Sequence, residues 1–308
     1  MLDVVIIGAG PAGMTAALYA ARSDLSVLLL ERGAPGGQMN NTAEVENYPG
    51  FDSIKGPELA MKFYEPLAKF GAKHEYGYVV DVVDRGDYKT VITEDKEYDT
   101  RVVIISTGAS HRHLGVPGEE EFSGRGVSYC AVCDGAFFRN RELIVIGGGD
   151  SAVEEAIYLT QFATKVSIVH RRDELRAQKI IQDRAFRNEK IEFIWDSVVE
   201  EITGENLVNG VEVKNVKTGE KTHVQAQGVF IYVGLDPISE PFKNLGVTNE
   251  NGWIPTDLNM KTSVPGVFAI GDVREKTLRQ ITTAVGEGGI AGQQAYLYLQ
   301  DLQDKLAK

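Results

Sequence analysis

The feature that most constrains this chain of 308 residues is a glycine-rich turn between an apolar strand and a helix, which occurs twice. The first turn is Gly8-Ala-Gly-Pro-Ala-Gly13, and the second, Gly147-Gly-Gly-Asp-Ser-Ala152, follows 139 residues later. The pattern predicts strands over 3–7 and 26–30 around a helix over 14–23. In the second copy it predicts strands over 143–146 and 166–169 around a helix over 153–162. Two copies of one βαβ unit indicate two nucleotide-binding domains of the same general fold.

A second pair of matching segments predicts how these domains are connected. Apolar strands at 102–108 and 229–234 both end in glycine, and each precedes a connection that contains a proline, Pro117 or Pro237. If these connections are domain boundaries rather than surface loops, the chain is an α/β protein of two Rossmann-like domains, the second inserted into the first. The expected ranges are 1–112, 113–240 and 241–308. The last range is expected to hold a strand over 266–270 and a final helix over 286–303 that starts at a glycine-rich segment.

The first turn has the sequence context that a dinucleotide site requires. Gly8 permits the tight turn, Gly10 lets a pyrophosphate reach the backbone, and Gly13 lets the helix pack closely on the strand. The phosphates then meet unpaired N–H groups at the positive end of the helix dipole. Glu31 follows the second strand, where a carboxylate accepts hydrogen bonds from ribose hydroxyls and repels a 2′-phosphate. This copy therefore predicts an unphosphorylated adenosine, as in FAD or NAD, the alternative being a plain turn followed by a surface glutamate.

The second turn differs at the position that selects the nucleotide. It keeps Gly147 and Gly149, but the residue equivalent to Glu31 lies in the segment His170-Arg-Arg172, with Arg176 shortly after it. Guanidinium groups grip a 2′-phosphate through charge-assisted bidentate hydrogen bonds. The second copy therefore favours NADP(H). The alternative is a solvated basic face whose arginines pair with Asp173 and Glu174.

Cys130 and Cys133, followed by Asp134, are the two cysteines of the chain. Thiols at this spacing can close a small disulfide ring suited to reversible two-electron exchange. The neighbouring carboxyl group can supply or take a proton during that exchange. Two alternatives stay open: a zinc site completed by His111 and His113, and a pair of inert buried thiols.

Composition excludes several classes of protein. The net charge of −12 argues against nucleic acid or an anionic membrane as the main partner, since both attract a basic face. No apolar stretch approaches the ~18–20 residues of a spanning helix, and the first residues carry no basic leader. With so few cysteines the expected compartment is the reducing cytoplasm. No metal role is expected.

Near the C-terminal end, Gly271-Asp272 follows an apolar strand, and Arg279-Gln280-Ile281 precedes the expected final helix. A carboxylate at the end of a strand in the first domain can hydrogen-bond the hydroxyls of a polyol. An aspartate at such a place is more often a turn or N-cap residue, so spacing alone leaves its function open.

Taken together, these motifs resemble those of the low-molecular-weight bacterial thioredoxin reductases, over essentially the full chain. The resemblance includes both glycine turns, the arginines and Asp272, and it adds Pro35-Gly-Gly-Gln38 and Glu44-Val-Glu-Asn-Tyr-Pro-Gly50. The order of the motifs carries most weight. In the larger glutathione-reductase relatives, the redox cysteines are spaced CxxxxC and lie near the N-terminus in the FAD domain. Here the CxxC pair lies just before the second glycine turn.

The resemblance implies a homodimeric, cytoplasmic flavoenzyme of three-layer ββα domains that reduces thioredoxin with NADPH. It implies that Cys133 faces the flavin, that Cys130 attacks thioredoxin, and that Asp134 is the acid–base residue. The implied FAD contacts are Gly8, Gly10, Ala12, Gly13, Glu31, Arg32, Gly37, Gln38, Asn47, Asp272, Arg279, Gln280 and Ile281. The implied NADPH contacts are Gly147, Gly149, Asp150, Ser151, His170, Arg171, Arg172 and Arg176. The main alternative is a reductase of the same build that serves another redoxin or a peroxiredoxin.

Overall fold

The computed structural model describes residues 1–42 and 45–306, so Glu44 of the motif named above lies outside the described residues. The chain forms two compact units. The first unit contains residues 1–110 and 236–308, and the second contains residues 111–235. The chain thus leaves the first unit once and returns to it once.

Strands alternate with helices after each glycine turn. The strands are β1 (Leu2–Ile7), β2 (Val27–Glu31), β3 (Lys73–Tyr76), β4 (Val79–Asp84), β5 (Lys89–Thr93), β6 (Glu97–Ile105), β7 (Ala109–His111), β8 (Val127–Ser128), β9 (Glu142–Ile146), β10 (Lys165–Val169), β11 (Ile191–Ile194), β12 (Ser197–Gly204), β13 (Val208–Asn215), β14 (Lys221–Gln225), β15 (Gly228–Ile231), β16 (Leu235–Pro237) and β17 (Val267–Ala269). The helices are α1 (Pro11–Arg22), α2 (Gly56–Lys69), α3 (Ala131–Asp134), α4 (Asp150–Leu159), α5 (Lys179–Phe186) and α6 (Ile281–Leu306). The alternating segments are β1-α1-β2-α2-β3 and β9-α4-β10-α5-β11, and the other described strands follow one another without an intervening α-helix apart from α3.

The first unit is built on a sheet with the strand order β3-β2-β1-β6-β5-β4, and β17 also pairs with β6. Strands β3, β2, β1, β6 and β17 run parallel to one another. Strands β5 and β4 add an antiparallel hairpin beside β6. Alternate residues of β1 face opposite layers. Val4 and Ile6 pack with α1, α2 and α6, while Val5 and Ile7 pack with Val79 and other residues on the opposite side. Both faces of the sheet are therefore buried.

The second unit has three layers. Its central sheet is parallel, in the order β11-β10-β9-β15-β8, and its outer sheet is the antiparallel meander β12-β13-β14. One face of the central sheet packs on α3 and α4 and the opposite face on the meander. The prediction of two Rossmann-like α/β units is confirmed by this architecture. In each unit the glycine turn follows a central strand, β1 or β9, at its carboxyl end.

Three expected helix boundaries are wrong. Both helices after the glycine turns begin three residues earlier than predicted, at Pro11 and Asp150, because the third residue of each turn is itself the N-cap. Proline is well suited to the first helical position, where its missing N–H is not needed. The final helix begins at Ile281 rather than at residue 286, so its glycines lie in the helix interior. A Cβ at Gly288 would lie 2.4 Å from the carbonyl oxygen of Ala12, so these glycines allow α6 to approach α1 closely.

Candidate active site

In the first glycine turn, Gly8 and Gly13 pack against backbone atoms, whereas Gly10 faces open space. Gly8 has φ +104°, and a Cβ there would lie 2.4 Å from the carbonyl oxygen of Ser106. A Cβ at Gly13 would lie 1.9 Å from the carbonyl oxygen of Gly8. A Cβ at Gly10, the N-cap of α1, would meet no heavy atom within 4 Å. This open helix N-terminus fits a phosphate group.

Glu31 at the end of β2 braces the same turn. Its Oε2 accepts a hydrogen bond from the Ala9 N–H at 2.8 Å, and its Oε1 accepts one from the Gly33 N–H at 3.0 Å. A carboxylate has about four acceptor positions, so it keeps capacity for ribose hydroxyls. The neighbouring Arg32 is exposed, with its guanidinium carbon 6.0 Å from the ring centroid of Tyr78.

The segment after β2 returns to the glycine turn. Gly37 has φ +56°, and a Cβ there would lie 3.2 Å from the Cα of Gly10. Gln38 donates from Nε2 to the carbonyl oxygen of Ala109 at 3.3 Å. Asn47 donates from Nδ2 to Oε1 of Gln280 at 3.1 Å. The structure therefore brings Gly37 against Gly10 of the first glycine turn, and Asn47 into contact with Gln280, which precedes α6.

A short 3-10 turn, Gly271–Val273, places Asp272 beside the start of α1. A Cβ at Gly271 would lie 3.1 Å from the Cβ of Ala12. Oδ1 of Asp272 lies 3.2 Å from Nζ of Lys276, but it is buried and has no hydrogen-bond partner among the described residues. This acceptor is suited to a ligand hydroxyl.

Arg279 lies just before α6, which begins at Ile281. Its guanidinium carbon is 4.1 Å from the ring centroid of Trp253, and its Nε is buried without a hydrogen-bond partner in the described part of the chain. Burial lowers the pKa of Arg279, and the nearby carboxylates of Asp272 and Glu287 oppose that shift. A buried cationic donor of this kind is suited to an acceptor on a polar aromatic ligand.

The second glycine turn repeats the geometry of the first. A Cβ at Gly147 would lie 2.5 Å from the carbonyl oxygen of Tyr232, whereas one at Gly149 would meet no atom within 4 Å. The buried His170 ring packs against the turn at Gly148. A Cβ at Gly148 would lie 2.4 Å from Cε1 of His170, so only glycine fits beneath the ring. Burial, followed by the charges of three nearby arginines, lowers the pKa of His170. Its Nε2 is buried and has no hydrogen-bond partner among the described residues, so this ring nitrogen is available to a ligand.

The start of α4 is tied to the segment that carries Arg176. Asp150 accepts two hydrogen bonds from Gln178, at 2.6 Å from its N–H and at 3.1 Å from its Nε2. The N–H of Arg176 donates to the carbonyl oxygen of Gly148 at 2.7 Å. Ser151, in the first turn of α4, is exposed. The arginine-bearing segment is therefore fixed against the glycine turn.

Three exposed arginines follow β10, namely Arg171, Arg172 and Arg176. None of the three has a carboxylate partner within 4.0 Å among residues 1–42 and 45–306. Asp173, one of the two acids between Arg172 and Arg176, pairs instead with Lys217 at 2.8 Å. The alternative in which these arginines are neutralised by their own neighbours is therefore not observed, and their charge is available to an anion.

The two cysteines form a disulfide at the start of the four-residue helix α3. Cys130 is the N-cap, and its Sγ accepts a hydrogen bond from the Cys133 N–H at 3.2 Å. Both cysteines are half-buried. The disulfide excludes the alternative of two inert thiols, and its partial exposure is compatible with attack by another thiol.

The carboxyl group of Asp134 lies beside this disulfide in a largely buried position. Burial raises its pKa, while a hydrogen bond of 2.6 Å from the Ser128 hydroxyl opposes that shift. A carboxyl group with a raised pKa retains a proton closer to neutral pH. Asp134 is thus suited to donate a proton to a leaving thiolate.

Two further groups line the same region. The Tyr232 hydroxyl accepts a hydrogen bond from the Ala131 N–H at 2.6 Å, which anchors the residue between the two cysteines. Burial raises the pKa of Tyr232, and the charges of Glu155 and Asp134 raise it further. Burial, with a smaller effect from Glu154, raises the pKa of Glu155 to about 7. The segment that carries the disulfide is therefore hydrogen-bonded to Tyr232, whose pKa the charges of Glu155 and Asp134 affect.

The histidines of the zinc alternative pack elsewhere. The His111 ring stacks on Tyr129, with 5.0 Å between ring centroids, and Nδ1 of His113 lies 3.0 Å from the Tyr129 hydroxyl. That hydroxyl donates to Oε1 of Glu119 at 2.7 Å. In the described ranges, no group of three or more His, Cys, Asp or Glu residues could hold a metal ion. The zinc ligand set is therefore not assembled.

Sequence reasoning missed several residues of the site. The contacts of Ser128, Glu155 and Tyr232 join residues distant in sequence, and no motif announces them. Gly148 falls between the two glycines of the fingerprint, and its requirement becomes evident only from the His170 ring above it. The match between the strands at 102–108 and 229–234 pointed to the region of Tyr232 but not to its hydroxyl.

Within the described residues, no helix has both the length and the apolar character needed to cross a membrane.

Comparisons with known proteins agree with this geometry. The pyridine nucleotide-disulphide oxidoreductase family matches residues 2–288. The chain is 61% identical over 305 residues to the thioredoxin reductase of Listeria monocytogenes, with 99% of this chain and 96% of that relative covered. It is 59% identical over 305 residues to the thioredoxin reductase of Bacillus subtilis, with the same shares covered. The crystal structure of thioredoxin reductase from Streptococcus pyogenes is similar with a TM-score of 0.94 and 65% identity, over 98% of this chain and 99% of that one.

Proposed function

The chain belongs to the pyridine nucleotide-disulphide oxidoreductase family, and from this premise we propose how its residues carry out disulfide reduction. Its activity is that of the relatives at 59% and 61% identity: it is a flavoprotein that uses NADPH to reduce the disulfide of thioredoxin. The observation that carries the residue assignment is the half-exposed Cys130–Cys133 disulfide beside the largely buried Asp134.

We assign FAD to the first domain, residues 1–112 and 241–308. The open turn at Gly10 receives the pyrophosphate and Glu31 the ribose. Asp272 Oδ1 and Arg279 Nε present a buried acceptor and a buried donor that have no hydrogen-bond partner among the described residues. When bound, FAD accepts a hydride from NADPH and passes two electrons to a disulfide. The remaining proposed contacts are Gly8, Ala12, Gly13, Arg32, Gly37, Gln38, Asn47, Gln280 and Ile281.

We assign NADPH to the inserted domain, residues 113–240. Gly147 and Gly149 form the phosphate turn, and Asp150 and Ser151 belong to the helix that begins there. Arg171, Arg172 and Arg176 bind the 2′-phosphate through charges that have no carboxylate partner among the described residues, and His170 follows the same strand. The chain thereby distinguishes NADPH from NADH through a charge it keeps unpaired.

The cysteines exchange the electrons with the substrate. Reduction of the disulfide adds two electrons and gives Cys130 and Cys133 as a thiol–thiolate pair, with Asp134 exchanging the proton. The Cys130 thiolate then attacks one sulfur of the thioredoxin disulfide, and the other sulfur leaves and takes a proton. Cys133 next attacks Cys130, which restores the intramolecular disulfide and releases reduced thioredoxin. Thioredoxin thus gains two electrons and two protons, one proton from the Cys133 thiol and the other from solvent water.

We also propose that the enzyme is a homodimer and that it acts in the cytoplasm. The support for both is the likeness to bacterial thioredoxin reductases. Sedimentation of the purified holoenzyme gives the subunit number directly.

The visible spectrum of the purified protein tests the function. We expect a flavin absorbance that NADPH bleaches under anaerobic conditions and that oxidised thioredoxin restores. In the Cys130→Ser variant, NADPH should still bleach the flavin, but thioredoxin turnover should fall to background. Turnover that survives this substitution would mean that the enzyme reduces flavin or oxygen without thiol chemistry. Parallel assays with a peroxiredoxin and a glutaredoxin-like protein test whether thioredoxin is the preferred disulfide.

A further inference from the structure

A buried carboxylate in the interior of α6 collects the polar groups of the Asp272 turn. Oε2 of Glu287 accepts a hydrogen bond from the Gly271 N–H at 2.6 Å. Its Oε1 lies 2.7 Å from Nη1 of Arg274 and 3.3 Å from Nζ of Lys276. The side chains of these three ionised residues are only 10–13% exposed, so their charges are poorly screened by water. Neither the glycine turn nor the redox pair uses Glu287.

The next residue of α6 contacts the other end of the nucleotide site. A Cβ at Gly288 would lie 2.4 Å from the carbonyl oxygen of Ala12 and 2.8 Å from the Cβ of Thr15, in the first turns of α1. Two consecutive residues of α6 therefore contact helix α1 and the turn at residues 271–273. Gly288 meets the helix that begins at the phosphate turn, and Glu287 meets the turn that carries Asp272.

Lys276 is shared between two carboxylates. Its Nζ lies 3.2 Å from Oδ1 of Asp272 and 3.3 Å from Oε1 of Glu287. In this arrangement Glu287 takes hydrogen bonds from Lys276, while Oδ1 of Asp272 has no hydrogen-bond partner among the described residues. Removal of Glu287 would leave Lys276 with Asp272 as its remaining carboxylate partner among the described residues. Lys276 would then compete with a ligand for the Asp272 oxygen.

We propose that Glu287 is a positioning residue of the FAD site. It holds the Gly271 N–H against α6 and so fixes the separation between the phosphate turn and Asp272. It also holds Lys276, which leaves the Asp272 oxygen available to a cofactor hydroxyl. This proposal rests on the proposed assignment of FAD to the first unit.

The test compares the dissociation constant of FAD in variants of the full-length holoenzyme, measured from the rise of flavin fluorescence on dilution. We expect Glu287→Ala to raise the constant about tenfold, since charge-assisted hydrogen bonds are lost. Glu287→Gln should raise it less, because its amide oxygen can still accept from Gly271. Gln293→Ala, an exposed position of the same helix, is the matched control and should leave the constant unchanged.

Asp272→Ala and the double variant Asp272→Ala/Glu287→Ala separate the possible failures. If Glu287 acts through Asp272, the double variant binds FAD no more weakly than the weaker single variant. The proposal would be overturned if the increases in the dissociation constant of FAD in the two single variants multiplied in the double variant. It would also be overturned if the Glu287 variants bound FAD within twofold of the wild type while Asp272→Ala bound it more weakly. An unchanged constant in Asp272→Ala would instead refute the FAD assignment itself. If Glu287→Ala does not fold, Glu287→Gln decides by the same criteria.

Discussion

The two glycine turns of this molecule can be compared residue by residue, since each follows a central strand and caps a helix. Gly8 and Gly147 both take a positive φ that places a potential Cβ against backbone, and Gly10 and Gly149 both cap a helix beside open space. The turns diverge after the second strand. Glu31 accepts hydrogen bonds from two backbone N–H groups, whereas His170 has a lowered pKa and is followed by arginines that have no carboxylate partner in the described part of the chain. The shared geometry indicates a dinucleotide, and the divergent residues decide which one.

The helices after the turns differ at a second equivalent position. Ala16 of α1 is fully buried, and its carbonyl oxygen would lie 2.8 Å from a Cβ at Gly292 of α6. Its counterpart in α4 is Glu155, a partly buried carboxyl group near Tyr232. One helix is covered by another helix, and the other presents its matching face to the redox segment. A small residue suits close helix packing, whereas a protonatable residue suits a region where protons move.

The largest expected effect concerns the arginines of the second turn. Arg171→Gln/Arg172→Gln should raise the KM for NADPH by about 10- to 100-fold and change that for NADH little, because a free 2′-hydroxyl needs no guanidinium partner. Steady-state kinetics with both nucleotides measure the effect, and Arg187→Gln, an exposed arginine of the same unit, serves as control. Equal increases for both nucleotides would show that these arginines do not recognise the 2′-phosphate.

A smaller effect is expected at the equivalent residue of the first turn. Glu31→Gln should raise the dissociation constant of FAD by up to about tenfold, because one carboxamide cannot accept hydrogen bonds from both Ala9 and Gly33 through two oxygens. Fluorescence of flavin released from diluted holoenzyme measures it. Glu65→Gln, an exposed residue of α2, should bind FAD as the wild type does. Unaltered binding in Glu31→Gln would contradict the ribose assignment.

The smallest effect is a pH dependence of stability at Glu155. Its folded-state pKa is raised to about 7 from 4.5, so its contribution to stability is fully present below pH ~4.5 and is lost as the pH rises through about 7. Glu155→Gln removes this loss. We therefore expect the Tm of the variant to exceed that of the wild type by about 2 °C above pH 8 and to match it near pH 4.5.

Thermal unfolding of the holoenzyme at the two pH values checks this prediction. Glu189→Gln, an exposed position of the same unit, should show no such dependence. An equal difference in Tm at both pH values would mean that ionisation of Glu155 does not affect stability.

Sequence reasoning succeeded where the determining contacts are local. The glycine turns, the residue after the second strand and the CxxC pair each lie within one short segment, so their spacing predicted a dinucleotide fold and a disulfide. It failed where packing brings distant segments together. Gly288 was expected at a helix start, but it lies in the interior of α6 because its partner, Ala12, is far away in sequence. The roles of Glu287 and Tyr232 depend equally on distant partners, so they required the structure.

The packing of α6 on α1 has a consequence for how the protein is made. Residues 281–306 leave the ribosome roughly 260 residues after residues 11–22, because the inserted unit and other segments lie between them, which takes about 13–52 s at about 5–20 residues per second. Until then the alanine-rich face of α1 has no cover. The second unit, whose residues 111–235 are contiguous, can complete its core earlier. During translation the unit to which we assign NADPH is therefore completed early, and the unit to which we assign FAD, although it begins at the first strand, is completed last.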